Sequence, residues 1–239
     1  MRIRPIASSS KGNAYVVEHD GFALLVDCGV PRKLLDGYPI EAVLVTHNHW
    51  DHVSGLKAFI SRRDTAVYAN ATTAEAVATA YDIGMSSFSC FENGQSFVIG
   101  PFEISPFSVP HDAADPVGYL IRAGGETYFH GTDIGSPLDS IGVKLSEATV
   151  ATLEANHDRE LLRLSARPEC LKRRIAGPRG HLSNEEAAEL VRRFATPRLK
   201  KIFLAHLSGE CNEPTLALEA VRAALAEAGR SGVEVEAIG

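Results

Sequence analysis

Four side chains that can bind a metal ion lie within six residues of this chain: His47, His49, Asp51 and His52. Imidazole and carboxylate groups are common ligands of divalent metals in proteins. Burying three imidazoles beside a carboxylate would be costly unless a cation compensated them. The cluster therefore predicts a metal site.

The residues around this cluster predict how it is positioned. Val43–Val45 is a uniformly apolar run, which is typical of a strand buried on both faces. After the cluster, Val53, Leu56 and Ile60 recur at the spacing of one helical face. The ligands are thus expected on the turn between a buried strand and a helix.

The spacing within the cluster separates two pairs of ligands. His47 and His49 are two residues apart, so both can point the same way from extended chain. Asp51 and His52 lie at the start of the helix and point elsewhere. One pair for each ion predicts two metal ions a few ångströms apart.

The pattern His47-x-His49-x-Asp51-His52 after an apolar strand resembles the signature of the metallo-β-lactamase superfamily. Three later residues that follow apolar strands match the order and type of its remaining motifs. By this resemblance, one ion is held by His47, His49 and His111, the other by Asp51, His52 and His206, and Asp133 bridges them. A bridging carboxylate implies a shared hydroxide that is a nucleophile at neutral pH. Zinc and manganese suit these ligands, and iron is compatible with them.

Further segments resemble particular branches of this superfamily. Gly180-His181-Leu182-Ser183 is similar to the tail of ribonuclease Z, which implies that His181 contacts phosphate and protonates the leaving group. Asp51 is then expected to accept the proton of the nucleophile. A match over nearly the whole chain, to the YycJ/WalJ group of nuclease-type hydrolases, is carried by Ser8–Asn13, 110–119, 154–158, 180–184 and 205–208.

Residues near these motifs are candidates for contacts with substrate or with ligands. The candidates for substrate binding are Asn13, Trp50, His157, Arg174 and Arg179. His130 is expected to hydrogen-bond a ligand. The segment Arg159–Arg179 carries a net charge of +5 in a chain of net charge −6, which favours phosphate contacts there.

Strands and helices alternate in two halves, with hairpins between them and without a linker or repeat. This pattern predicts one mixed α/β domain over residues 1–239. The resemblance implies, more specifically, the αββα sandwich of the metallo-β-lactamase fold.

Composition indicates an ordinary soluble protein, because 45% of the residues are hydrophobic and 23% are charged. No stretch reaches the ~20 apolar residues of a membrane span. The N-terminus lacks an apolar signal region, and the four cysteines are far apart, so we expect a cytoplasmic protein with free thiols. The oligomeric state is left open, and a homodimer is one alternative.

These observations predict a dinuclear metal-dependent hydrolase that acts on the phosphodiester bonds of DNA or RNA. One alternative is a small-molecule esterase, thioesterase or lactonase with the same fold. Another is a binding or regulatory protein that keeps its metal for structure. Hydrolysis of β-lactams is disfavoured, because Asp133 stands where true β-lactamases of this fold commonly have cysteine.

Overall fold

The computed structural model describes residues 1–63 and 65–238. The chain forms two compact units, the first built mainly from residues 1–108 and the second mainly from residues 126–238. Of the connecting stretch, Val109–Asp112 and Gly118–Ile121 belong to the second unit, and Ala113–Val117 and Arg122–Gly125 belong to the first. The prediction of one domain over residues 1–239 stays a prediction.

A six-stranded sheet lies in the first unit. Its strands, in spatial order, are β1 (Arg2–Ser9), β2 (Gly12–His19), β3 (Phe22–Val26), β4 (Ile40–Leu44), β5 (Ala66–Asn70) and β6 (Phe88–Phe91). The first three strands pair antiparallel, and β3 to β6 pair parallel. β4 is buried at four of its five residues, as its apolar sequence predicts.

Parallel pairing of β3 with β4 places the residues that follow them at the same edge of the sheet. Val26 pairs with Leu44, and the next residue, Asp27, donates its N–H to the carbonyl of Leu44 at 2.9 Å. Val45 donates to the carbonyl of Tyr68 at 2.9 Å, so the ladder continues one residue beyond β4. The chain enters the central motif directly from this edge.

The predicted helix after the motif is two short helices, α1 (Trp50–Val53) and α2 (Leu56–Ile60). The interruption lies at Ser54 and Gly55, where the N–H of Gly55 bonds to the carbonyl of Cys28 at 2.8 Å. A Cβ at Gly55 would lie 2.0 Å from the carbonyl oxygen of Val30. The close approach of two backbone segments therefore requires glycine here.

The other helix of the first unit is α3 (Ala71–Tyr81). Its N-terminus is capped by Asn70, whose side chain accepts a hydrogen bond from the N–H of Thr73 at 2.9 Å. Short 3-10 helices lie at Arg32–Leu34 and Met85–Ser87.

The remaining strands form a seven-stranded sheet in the order β13-β12-β11-β10-β9-β8-β7. Their bounds are β7 (Phe97–Ile99), β8 (Phe102–Ser108), β9 (Val117–Ala123), β10 (Glu126–Gly131), β11 (Val150–Glu154), β12 (Lys201–Ala205) and β13 (Glu234–Ala237). β7 and β8 are antiparallel, and the run from β10 to β13 is parallel.

The helices of the second unit are α4 (Asp139–Ser146), α5 (Arg159–Leu164), α6 (Glu169–Ile175), α7 (Asn184–Phe194) and α8 (Pro214–Glu227). α7 begins with a capping box, in which Ser183 and Glu186 bond each other's backbone N–H groups. α8 begins with Pro214 and is followed by Gly229 at φ 69°, an arrangement that is common at helix ends.

The parallel run from β10 to β12 brings polar residues to one edge of the second unit. Asp133 follows β10, Glu154 ends β11 and His206 follows β12. The register pairs Glu154 with Ala205, so the ends of β11 and β12 are level. Within the described residues, no helix is both long and apolar enough to cross a lipid bilayer.

Candidate metal centre

Three histidines of the central motif lie side by side in the first unit. The ring centroids of His47 and His49 are 4.7 Å apart, and those of His47 and His52 are 4.1 Å apart. His47 and His52 are buried, and His49 is half-buried. Protonated rings at these distances would repel each other, so the arrangement suits neutral imidazoles around a cation.

Asp27, which has no role in the sequence analysis, orients this group from the end of β3. Its Oδ2 lies 2.7 Å from Nδ1 of His52 and accepts the hydroxyl of Thr46 at 2.8 Å. The Oγ1 of Thr46 is in turn 3.0 Å from Nδ1 of His47. A proton held on Nδ1 of both rings leaves Nε2 with the lone pair that binds a metal.

Asp51 and His52 form the second pair of the motif. Oδ2 of Asp51 lies 3.6 Å from Nε2 of His52. The side-chain amide of Asn13 is 3.1 Å from the same carboxylate oxygen and 3.0 Å from the same ring nitrogen. Asn13 is fully buried. Its contacts therefore support a role in positioning Asp51, and the predicted contact with substrate stays a prediction.

Trp50 opens α1, and its side chain is 61% exposed. An indole is usually buried to a large extent, so this exposure beside two metal-capable residues is unusual. It leaves the ring accessible to a substrate.

In the second unit, a buried carboxylate joins residues from three other segments of the chain. Oε1 of Glu154 lies 2.8 Å from Nδ1 of His181 and 3.0 Å from Nδ1 of His206. Oε2 accepts the backbone N–H groups of Ile134 at 2.7 Å and of Leu182 at 3.2 Å. Glu154 thus positions both histidines and the turn that carries Asp133.

The pKa of Glu154 results from opposing effects. Burial raises it, but the positive charge and hydrogen bond of His181 and the hydrogen bond of His206 outweigh this and hold the pKa at about 2. Glu154 is therefore ionised at neutral pH, and it fixes the proton of each histidine on Nδ1. Asp133, Glu154, His181 and His206 offer ligand atoms within 4.8 Å of one another, and in this group Glu154 accepts hydrogen bonds from both histidines.

His111 is held by the segment that follows α6. Its Nδ1 is 2.9 Å from the carbonyl oxygen of Gly180, and its own carbonyl accepts Nε and Nη2 of Arg179 at 3.1 and 3.0 Å. Arg174 makes a bidentate contact with the neighbouring Asp112 at 2.5 and 3.0 Å. Both arginines, predicted to bind substrate, thus have contacts that support the loop of His111.

Three residues of these networks have left-handed backbone conformations, with φ of 60° at Asp27, 55° at Asp133 and 57° at His206. For a residue other than glycine, this conformation costs roughly 1 kcal/mol or more. Such strain persists where surrounding contacts hold the backbone, and here it turns each side chain out of the strand that precedes it.

The donor atoms fit a divalent metal. Nδ1 is engaged in His47, His52, His111 and His206, which leaves the lone pair on Nε2 for a cation; at His52 this lone pair also faces the amide of Asn13 at 3.0 Å. The Nε2 of His111 lies 3.6 Å from Oδ1 of Asp133, the same separation as in the pair of His52 and Asp51. Two ligands bound at ~2.1 Å in tetrahedral geometry are ~3.4 Å apart, so both pairs have the separation that one ion requires.

His130 and His157 are both buried in the second unit. Nδ1 of His130 is 3.0 Å from the hydroxyl of Tyr128, which is 2.7 Å from the hydroxyl of Thr152. His157 forms a backbone bridge with Ser183. These contacts hold β10 against β11 and the end of β11 against the start of α7.

Sequence reasoning missed the roles of Asp27 and Glu154. A signal was present in both cases, because each is a single carboxylate at the end of an apolar strand, in Leu24–Cys28 and Ala151–Ala155. A buried carboxylate needs hydrogen-bond donors, so each position predicts donors nearby, although the sequence does not identify them.

Comparison with known proteins agrees with this geometry. Residues 24–206 match the Beta-lactamase superfamily domain. The chain is a member of the metallo-β-lactamase superfamily. It is 34% identical to Exodeoxyribonuclease WalJ of Streptococcus pneumoniae, over 89% of this chain and 83% of that protein. It is also 34% identical to Exodeoxyribonuclease YycJ of Bacillus anthracis, over 94% of this chain and 89% of that protein.

Solved structures confirm the fold class. The metallo-β-lactamase fold protein YhfI of Bacillus subtilis has a TM-score of 0.75 at 19% identity, over 98% of this chain and 95% of that protein. Zn²⁺-bound PqqB of Methylobacterium extorquens has a TM-score of 0.72 at 16% identity, over 100% and 98%. The predicted αββα fold and the resemblance to the YycJ/WalJ group are thereby confirmed, and the superfamily includes proteins that bind metal ions.

Proposed function

We propose that this chain is a metal-dependent deoxyribonuclease that hydrolyses phosphodiester bonds from an end of DNA. The observation that carries the proposal is the paired arrangement of imidazole Nε2 and carboxylate oxygen in each unit, 3.6 Å apart in both. The exodeoxyribonuclease activity named for the WalJ and YycJ relatives supports DNA as the substrate class. We further propose a cytoplasmic location.

The proposed metal ligands are those expected from the sequence: His47, His49, Asp51, His52, His111, Asp133 and His206. Two divalent ions, zinc or manganese, suit this mixture of imidazoles and carboxylates. Such ions lower the pKa of bound water and neutralise charge on the phosphoryl oxygens.

Asp51 is the proposed proton acceptor. Its side chain is held by the amide of Asn13, which leaves the carboxylate at the start of α1 in one orientation. Asn13 is buried and Asp51 is partly exposed, so the acceptor is preorganised yet reachable.

His181 is the proposed proton donor to the leaving oxygen. Nδ1 faces Glu154 at 2.8 Å, and the side chain is 14% exposed. The ionised carboxylate compensates a positive charge on the ring, as the aspartate of a catalytic triad does for its histidine. Nε2 is then the atom that delivers the proton.

Trp50 is the proposed stacking platform for a base near the scissile bond, because its ring is exposed beside the ligands. Asn13, Arg174 and Arg179 instead position Asp51 and His111. This division separates residues that contact DNA from residues that hold the catalytic groups.

The test uses purified protein with Zn²⁺ or Mn²⁺ and 5′-labelled single- and double-stranded DNA and RNA. We expect hydrolysis from one end of DNA and hydrolysis of bis-p-nitrophenyl phosphate, and we expect thioesters and lactones to stay intact. Asp51→Ala should abolish turnover, and turnover by the metal-replete variant would refute the mechanism. His181→Ala should slow turnover while metal content is retained; loss of metal would make His181 a ligand.

A further inference from the structure

A pocket of about 390 Å³ lies in the second unit, beside helices α5 and α6. We call it the α5/α6 pocket. Its basic wall consists of Arg159, Arg163, Lys172 and Arg173, and its apolar wall includes Leu162 and Ala176. The volume lies within the range of about 300–1,000 Å³ that is usual for pockets that take small ligands.

The charges of the pocket favour an anion. Four cations face two carboxylates, Glu169 and Glu186. Lys172 lies 3.2 Å from Glu169, and Arg159 lies 3.3 Å from Glu186. In each pair at least one of the two side chains is exposed. Such ion pairs are weak enough that the cation can exchange its carboxylate for a phosphate.

Arg173 differs from the other cations of the pocket. Within residues 1–63 and 65–238 it makes no salt bridge, and it is exposed at the pocket wall. An arginine without a carboxylate partner presents its full fork of donors to a ligand, and that fork matches the oxygens of a phosphate.

His157 is a buried histidine of the pocket lining. It lines the pocket and is 1% exposed, yet its Nδ1 has no hydrogen-bond partner in the described part of the chain. Burial lowers the pKa of His157 from its ordinary value. Because this nitrogen is shielded from solvent, the cations of the pocket wall are the groups that can reach a ligand.

The pocket adjoins the catalytic groups of the second unit along the chain. His157 is three residues from Glu154, and its backbone pairs with Ser183, two residues beyond His181. Three residues span at most ~10 Å. A DNA strand advances ~3.4 Å per nucleotide along the helix axis, so the pocket lies within a few nucleotides of the reacting phosphate.

We propose that the α5/α6 pocket binds a phosphate of the DNA strand that is being degraded, with Arg173 as its principal contact. Leu162 and Ala176 provide the apolar surface for the adjoining sugar. The inference rests on the proposed function, and it assigns phosphate binding to the α5/α6 pocket in place of Arg174 and Arg179. It also explains how a chain of net charge −6 holds a polyanion.

The test compares Arg173→Glu with a matched control, Arg192→Glu, in the same unit. Arg192 is exposed on α7 and pairs with Glu189, and it does not line the pocket. Both variants change the net charge equally. Binding of fluorescein-labelled DNA is measured by anisotropy over a salt series in EDTA, which prevents cleavage.

We expect Arg173→Glu to weaken binding about tenfold or more, the effect of losing a charge-assisted contact. The slope of log K against log salt should fall in magnitude by about 1. Arg192→Glu should bind as the wild type does. Equal binding by the two variants, or absence of DNA binding by the wild type, would overturn the inference.

Different measurements test the proposed function and this inference. Failure of wild-type protein to cleave DNA with metal present refutes the function, whereas the binding comparison in EDTA tests the pocket. Oligonucleotides with a 5′-phosphate, a 3′-phosphate or hydroxyl ends locate the contact. If Arg173→Glu loses affinity only for one type of phosphorylated end, the pocket binds a terminal phosphate. If it loses affinity equally for all three oligonucleotides, the pocket binds an internal phosphate. Both results support the inference.

Discussion

The two groups of metal-capable residues are built in opposite ways. In the first unit, His47, His49, Asp51 and His52 follow one another on a single turn after β4. In the second unit, residues separated by up to 95 positions, from His111 to His206, come together at the ends of separate strands. One group is therefore set mainly by local geometry, and the other by the register of a parallel sheet.

The anchors of the two groups differ accordingly. Asp27 holds one histidine directly and a second through Thr46. Glu154 holds two histidines and two backbone N–H groups with its two oxygens. A dispersed group thus depends more on a single buried carboxylate than a contiguous one does, and this difference can be measured.

Replacement of Glu154 should have the largest effect. Glu154→Gln removes the charge that fixes Nδ1 of His181 and His206, and breaking such a buried ionic network costs about 3–5 kcal/mol. We expect unfolding at lower denaturant and a loss of about 100-fold in kcat/KM on DNA. The control is Glu189→Gln, at an exposed position of α7. Wild-type activity in Glu154→Gln would show that the dispersed group does not depend on this carboxylate.

Asp27→Asn should have a smaller effect on the first group. Asparagine tolerates the left-handed backbone at this position, and its one side-chain oxygen can still accept the backbone N–H of Thr46. What is lost is the charge beside His52, so metal affinity should fall about 10–100-fold while stability changes little. A metal titration followed by activity measures this. A larger loss of activity in Asp27→Asn than in Glu154→Gln would reverse the comparison.

Both groups also use a glycine where backbone segments approach closely. A Cβ at Gly29 would lie 1.7 Å from the carbonyl oxygen of Asp51, and one at Gly180 would lie 2.2 Å from that of Arg174. Gly29→Ala and Gly180→Ala should each destabilise the protein by about 1–3 kcal/mol. Thermal unfolding checks this against Gly232→Ala, where nothing lies within 4 Å. Unchanged melting of both variants would show that the backbone accommodates the methyl group.

The smallest effect concerns acid stability in the second unit. Burial lowers the pKa of His157 below its ordinary value of 6.5. The unfolded chain therefore takes up a proton before the folded chain does, and stability present above pH 6.5 is lost as the pH falls toward the folded pKa. The stability advantage of the wild type over His157→Gln should shrink from pH 7.5 to pH 5.5. A constant difference would contradict the neutral, buried state of His157.

The contiguous group could be predicted from spacing, because two residues of extended chain and one turn of helix determine where its side chains point. The break between α1 and α2 could not, since it depends on the approach of Cys28 and Val30 from a distant loop. Apolar periodicity at Val53, Leu56 and Ile60 does not reveal such a contact.

The dispersed group could be predicted only as a set of residue types in order. The role of Glu154 depends on the level ends of β11 and β12. The register between two strands cannot be determined from the sequence of either strand alone. The basic segment shows the same limit. Its net charge is visible in the sequence, but the pairing of Arg174 with Asp112, and the lack of a salt bridge of Arg173 with any described residue, depend on the tertiary structure.

The most direct test of metal-dependent hydrolysis by these residues is a metal titration of chelated protein, followed by cleavage of end-labelled DNA. Cleavage should be absent in excess chelator and recover in proportion to bound Zn²⁺ or Mn²⁺, with saturation at about two ions per chain, as in two-metal hydrolases. Full cleavage in excess chelator, or metal uptake without any cleavage of DNA, would contradict the account.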